Sequence, residues 1–349
     1  MSTSSKSVTP VEPALLYPTL VILPLLSIIT LVIVTISPVY GHTFSENENS
    51  LFLTRIDQVN SQLKFIQNLL ASNTSSSNNP QNITQVALIH AIEAAGLLKV
   101  KDPVNNFTWT QEIAERNQRV ATDLVRGFND LTASLNRETS SKNNSNVASA
   151  NGGSQSIQDK IFNLSGLLDE AVSTRVAKDI INNSTNQALI LSNLGNEIFY
   201  SYGQALGFPY PKLIDMVTTM NMSAMGGASN SMNMHGNEMM QGMTSINANG
   251  NQTHNVSNKV NIVNETDYQN ALAYVKQAQE IVSKYLKSPA PTVKTSTNIQ
   301  PQLNKILSQL ESTISSKGSF DNVMNLIHVH LHPTLISNYG LKLATSSSK

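Results

Sequence analysis

Nine of the eleven methionines fall between positions 216 and 243: Met216, Met220, Met222, Met225, Met232, Met234, Met239, Met240 and Met243. They repeat as Met-X-Met at 220/222 and 232/234 and as Met-X-X-Met at 222/225 and 240/243, and His235 follows Met234 directly. Thioether sulfur is a soft, neutral donor that carries no proton in water, so it favours Cu(I) over hard cations. Two or three such sulfurs on a pliant chain can enclose a low-coordinate Cu(I), and His235 adds a nitrogen that also suits Cu(II). Core packing explains the run poorly, because Asn, Ser and Gly separate the methionines. An adaptable interaction surface and sacrificial oxidation to sulfoxide are the competing uses of the same residues.

The segment resembles the extracellular Met-rich tails of copper transporters and the Met/His segments of periplasmic copper- or silver-binding proteins. That resemblance covers little more than residues 216–243 and implies capture, buffering or transfer of copper, with no fold attached.

A second donor set is nitrogenous. His328, His330 and His332 alternate in His-Val-His-Leu-His-Pro. On a helix running from about Asp321, His328 and His332 share a face one turn apart, a chelating spacing. In an extended strand all three point the same way. Pro333 disfavours helical backbone at His332, and a histidine cluster at a helix C-terminus is also favourable without any metal. His90 occupies an apolar position in the run Ile83, Val86, His90, Leu97, with Glu93 three residues on. Facing His328–His332, this pair would make a nitrogen/carboxylate site inside a bundle; otherwise His90 reads as a hydrogen-bonded core histidine. His90-Ala-Ile-Glu93 resembles the HxxE signature of imelysin-type helical proteins linked to iron uptake, although the surrounding residues do not extend the match. His42 follows Gly41 and becomes an N-terminal amine-plus-imidazole donor for Cu(II) if cleavage falls between them. Such a brace resembles that of copper oxygenases, with His328 or His330 as the further ligand, but those enzymes are β-rich.

The elements that must position these groups begin with an export segment. Leu15–Val39 is uncharged and apolar, interrupted by Pro18 and Pro24, with Lys6 before it and Val39-Tyr40-Gly41 after it. It reads as a signal peptide cleaved after Gly41 or as an uncleaved transmembrane anchor. Either way the remainder is extracytoplasmic, secreted or held at the cell membrane. Eleven Asn-X-Ser/Thr sequons agree: Asn73, Asn82, Asn106, Asn143, Asn163, Asn182, Asn183, Asn221, Asn251, Asn255 and Asn264. They point to a glycoprotein.

Composition narrows the function classes. Lys+Arg 23 balance Asp+Glu 23, and charged residues make up 13%, against roughly 25% in ordinary soluble domains. Neutrality gives no reason to expect nucleic acid. Zero Cys removes disulfides, thiolate sites and Cys nucleophiles. The Cys-free, Asn/Ser/Thr-rich style resembles secreted archaeal surface proteins, in composition only. No Gly-X-Ser-X-Gly elbow or P-loop is present, so nothing argues for a particular reaction.

Helical seams recur along the exported part. Phe52, Ile56, Val59, Leu63, Ile66 and Leu70 alternate steps of three and four, as do Ile113, Asn117, Val120, Leu124, Phe128, Leu131 and Leu135. Ile157, Ile161, Leu164, Leu168 and Val172 mark another helix, and 185–206 a further one that stops at Gly207 before Pro209. Thr266 or Asp267 is the expected cap of the helix through Tyr268, Leu272, Val275, Val282 and Leu286, and Ile299, Leu303, Ile306 and Leu310 continue the pattern. Glu112, Glu115 and Asp123 read as solvated, and Trp109 as the anchor of a helix start. Residues 139–155 read as a loop. The expectation is an all-α antiparallel helical bundle. Its organisation is a leader at 1–41, helical parts at 43–210 and 264–340, a disordered Met/Asn/Gly-rich insertion at 211–263, and a tail at 341–349. The function expected is copper binding, handed on to a membrane copper protein or a cell-surface component. A metal-free structural or interaction glycoprotein is the alternative, followed by a metal-dependent oxidase in the bundle.

Overall fold

Each apolar seam becomes a helix whose seam is buried, and the computed structural model is all-helical among the residues it describes: 48–72, 80–102, 105–141, 151–225, 260–286 and 299–341. Helices α1 (Glu48–Ser72) and α2 (Pro80–Leu97) are followed by the short α3 (Trp109–Arg116), then α4 (Gln118–Ser141) and α5 (Asn151–Arg175). A single turn, α6 (Lys178–Ile181), leads into α7 (Ser184–Ala205) and α8 (Tyr210–Met225). The last part holds α9 (Glu265–Tyr285), α10 (Gln300–Ser315), α11 (Phe320–Asn325), a π-helical turn (Leu326–Leu331) and α12 (His332–Tyr339).

Phe52, Val59, Leu63 and Ile66 are fully enclosed on α1, as are Val120, Leu124, Leu131 and Leu135 on α4. Burying each such side chain contributes about 1.5–3 kcal/mol. The seam expected to run unbroken from Ile113 to Leu135 divides at Asn117, whose extended backbone ends α3. Its carboxamide oxygen accepts from Val120 N at 3.2 Å to start α4, so the polar residue in the stripe is a helix junction. Asn264, rather than Thr266 or Asp267, caps α9: its Oδ1 accepts from both of their backbone N–H groups. Gly207, in the left-handed region at φ 87°, ends α7 as its position before Pro209 predicts.

The helices before and after residues 226–259 pack together. Helix α9, from the C-terminal part, runs along α7 and also meets α1, while α1 packs on α2 and α5. Helix α1 therefore sits at the centre of one composite bundle. Two boundaries shift as well. Helix α8 carries regular backbone to Met225, well into the expected insertion, and α4 and α5 reach Ser141 and back to Asn151, trimming the expected loop.

The transmembrane helix expected from the sequence is corrected here: among the described residues no helix is long and apolar enough to cross a membrane. The stretch 15–39 that suggested it lies outside the described residues, as does the cleavage position at Gly41.

Candidate functional site

Helix α7 organises the candidate metal residues that can be followed. Gly203, near its end, lets α8 approach closely: a Cβ there would come within 2.5 Å of Leu213 Cδ2. One turn along α8, Val217 is buried and Met216 packs half-buried against the core. Met220, Met222 and Met225 follow on the same helix. Met232, Met234, His235, Met239, Met240, Met243 and His42 lie outside the described residues.

The C-terminal histidines meet the same helix α7 at neighbouring turns. His328 lies edge-on to Phe199, with ring centroids 5.1 Å apart. His332 is 4% exposed, and its Nε2 is 3.3 Å from Ser192 O. The two imidazoles contact each other at 5.1 Å between centroids, nearly perpendicular. Gly195 makes the approach possible, since a Cβ there would stand 3.3 Å from His332 Nε2 and 3.2 Å from Leu331 Cδ2. His330 points to solvent, so the trio separates into a buried His332 with a half-buried His328 beside it and an exposed member.

The helical reading of His332 holds in spite of Pro333, and the π-turn supplies the reason. Proline cannot donate the bond to Val329 O that an unbroken α-helix needs. The backbone instead widens over Leu326–Leu331, and His332 N donates to Ile327 O, five residues back.

His90 has a different setting. It is wholly buried on α2, its ring tilted by 49° against Phe65 at 4.4 Å between centroids. Its Nδ1 is 2.5 Å from Gln62 Oε1 and its Nε2 2.9 Å from Gln269 Oε1. Gln62 spends its amide nitrogen on Asn270 Oδ1 (2.8 Å) and Tyr274 Oη (3.3 Å), so Nδ1 is the ring's donor. Burial lowers the His90 pKa, against the hydrogen bonds to Gln269 and Asn270. For the neutral ring's Nε2 to accept, Gln269 must present its amide nitrogen and release Glu265. Glu93 stands 3.8 Å from Nδ1 and accepts from Asn270 Nδ2 at 3.1 Å. Burial raises its carboxyl to about 7.

The expected convergence of His90 and Glu93 with the 328–332 cluster does not occur. Among the described residues, the only three His, Asp or Glu side chains whose ligating atoms gather within 4.8 Å are Glu48, Asp102 and Glu112. His90 and Glu93 bind α9, whereas the 328–332 cluster binds α7.

That carboxylate group was not foreseen, and Glu112 corrects an expectation: it is 4% exposed rather than solvated. Arg175, at the end of α5, supplies the countercharge. Its Nη2 donates to Glu112 Oε2 and to Glu48 Oε1, both at 2.6 Å. Its guanidinium also lies 4.3 Å from the Phe52 ring centroid. Burial, then the hydrogen bond with Asp102, raises the Glu112 carboxyl above its usual range, against Arg175. The arrangement reads as a clamp joining α1, α3 and α5. Its sequence signal was the spacing Trp109, Glu112, Ile113, which puts Glu112 on the buried face of α3.

Asn82, Asn106, Asn163, Asn182, Asn183 and Asn264, the sequon asparagines whose side chains are described, are all exposed. No family model, curated protein or solved structure matches the chain.

Proposed function

We propose that this chain is an extracytoplasmic helical protein that captures or buffers copper. The thioethers between Met216 and Met243 hold Cu(I), and the His328/His332 pair offers nitrogen donors to Cu(II). The observation that carries this reading is the shared use of α7. Leu213 seats the methionine-bearing helix at Gly203, while His328 and His332 contact Phe199 and Ser192 along the same rod. Soft sulfur and borderline nitrogen are the donor types that follow copper through both oxidation states. The chain's own residues bind and orient; no reaction step is assigned to them.

The test is a Cu(I) competition titration of the full chain beside a variant with all nine methionines of 216–243 changed to leucine. Binding should vanish in the variant, and in the parent it should persist near pH 5, where imidazoles protonate and thioethers do not. Undiminished Cu(I) binding by the leucine variant would refute the assignment.

A metal-free interaction glycoprotein is the second reading, favoured by the exposure of all six described sequon side chains. It predicts glycan at those asparagines and no stoichiometric copper in protein isolated from its native membrane exterior or medium.

A further inference from the structure

Helices α1, α5, α7 and α9 diverge around a cleft of about 320 Å³. Its polar wall carries Asp57 and Lys64 from α1, Asp169 from α5, and Gln277, Glu280 and Lys284 from α9. Its apolar wall includes Ile56, Ile190 and Ile281, and α7 contributes no charged group to the lining.

The charges do not balance. Three carboxylates face two lysines, and Lys64 is already ion-paired with Glu280. Lys284 lies over the Tyr285 ring, with Nζ 4.8 Å from its centroid, and is shared electrostatically between Asp57 and Asp169, so these two carboxylates have one lysine between them. Asp57 therefore keeps one close polar partner from across the cleft, Gln277 Nε2 at 2.7 Å. Burial, with a smaller push from Glu280, raises the Asp57 carboxyl to about 7, against the Gln277 hydrogen bond and the pull of Lys64 and Lys284. Asp57 is half-buried and shares Lys284 with Asp169; a partly desolvated carboxylate with incomplete countercharge is costly, and an added cation offsets that cost.

A metal ion does not fit the vacancy in charge. Asp57, Asp169 and Glu280 do not bring their oxygens within the 4.8 Å that one ion would need. Their charge is spread along a wall opposite aliphatic side chains, which suits a cation with an apolar body. We propose that this cleft binds a small organic monocation of the alkylammonium class, its ammonium group beside Asp57 and Asp169 and its aliphatic part against Ile56, Ile190 and Ile281. The site is independent of the copper reading.

Calorimetric titration of the full chain with n-hexylammonium, in the presence of a copper chelator, tests it. Hexan-1-ol and hexanoate serve as the uncharged and anionic controls. The expected result is one hexylammonium per chain, bound at least about tenfold more tightly than hexanol. Affinity should fall about tenfold between pH 8 and pH 6, as Asp57 takes up its proton. Asp57→Asn should remove about tenfold of the affinity and the pH dependence with it. Asp169 is exposed, so Asp169→Asn leaves the fold intact and should weaken binding about threefold; it decides the matter if Asp57→Asn fails to fold. Equal affinity for hexanol, absence of saturable hexylammonium binding, or an Asp169→Asn protein that matches the parent would each overturn the proposal.

Discussion

His90 and His332 are both nearly sealed from solvent, at 0% and 4% exposure, yet their rings meet different kinds of neighbour. Each nitrogen of His90 faces a side-chain amide oxygen, and those amides are tied onward to Asn270, Tyr274 and Glu265. His332 faces a main-chain carbonyl through Nε2 and meets a second imidazole in a T-shaped contact. The first histidine closes a network that spans α1, α2 and α9. The second belongs to a pair set on α7 beside the methionine helix. Burial alone thus does not distinguish the two histidines; the kind of group each ring meets does.

The strongest way to break this contrast is His90→Ala. It opens a cavity beside Phe65 and strands the Gln62 carbonyl, so unfolding free energy in urea should drop by about 3 kcal/mol. Copper affinity should be unchanged. A stable His90→Ala protein would show that the network is not structural. His328→Ala should do the reverse: Cu(II) affinity falls tenfold or more, about 1.4 kcal/mol, with a smaller change in urea midpoint.

Titration sharpens the same contrast. The Glu93 carboxyl is raised from 4.5 to about 7, so its protonated form favours the fold. That contribution is complete below pH 4.5 and is lost as pH rises through 7. Glu93→Gln keeps an acceptor for Asn270 and should stabilise the protein at pH 8 by about 1 kcal/mol, allowing for partial exposure, with little effect at pH 4. His90, lowered below 6.5, acts with the opposite sign: its contribution is present above pH 6.5 and lost as pH falls through its folded value. A flat difference between parent and Glu93→Gln from pH 4 to 8 would contradict this account. The smallest expected effect is that of Gly195→Ala. The new methyl presses on Leu331 and His332, and should shift Cu(II) affinity about twofold for about 0.5 kcal/mol or less of stability.

The helices were readable because apolar spacing reports burial directly: every seam residue from Phe52 to Leu70 is enclosed. Polar residues inside those helices were not readable in the same way. Gln62, Asn270 and Gln269 look like ordinary surface residues until α1, α2 and α9 bring them to His90. Glu112 was misjudged because a carboxyl implies solvent unless a partner is known, and Arg175 lies 63 residues away. The cleft was invisible for the same reason, its walls coming from four long helices and the α6 turn. Asn117 and Asn264 show a milder failure, since capping residues sit where periodicity alone assigns a stripe or a loop.

The widened turn at Leu326–Leu331 has a geometric implication for the chain's end. Rewinding these residues as ordinary α-helix, with none removed, would turn everything beyond them by about one residue's 100° around the helix axis. Pro333, Leu335 and Tyr339 would then present another side to α7 although no chemical group had changed. Backbone winding, as much as side-chain identity, sets the phase of the terminal helix.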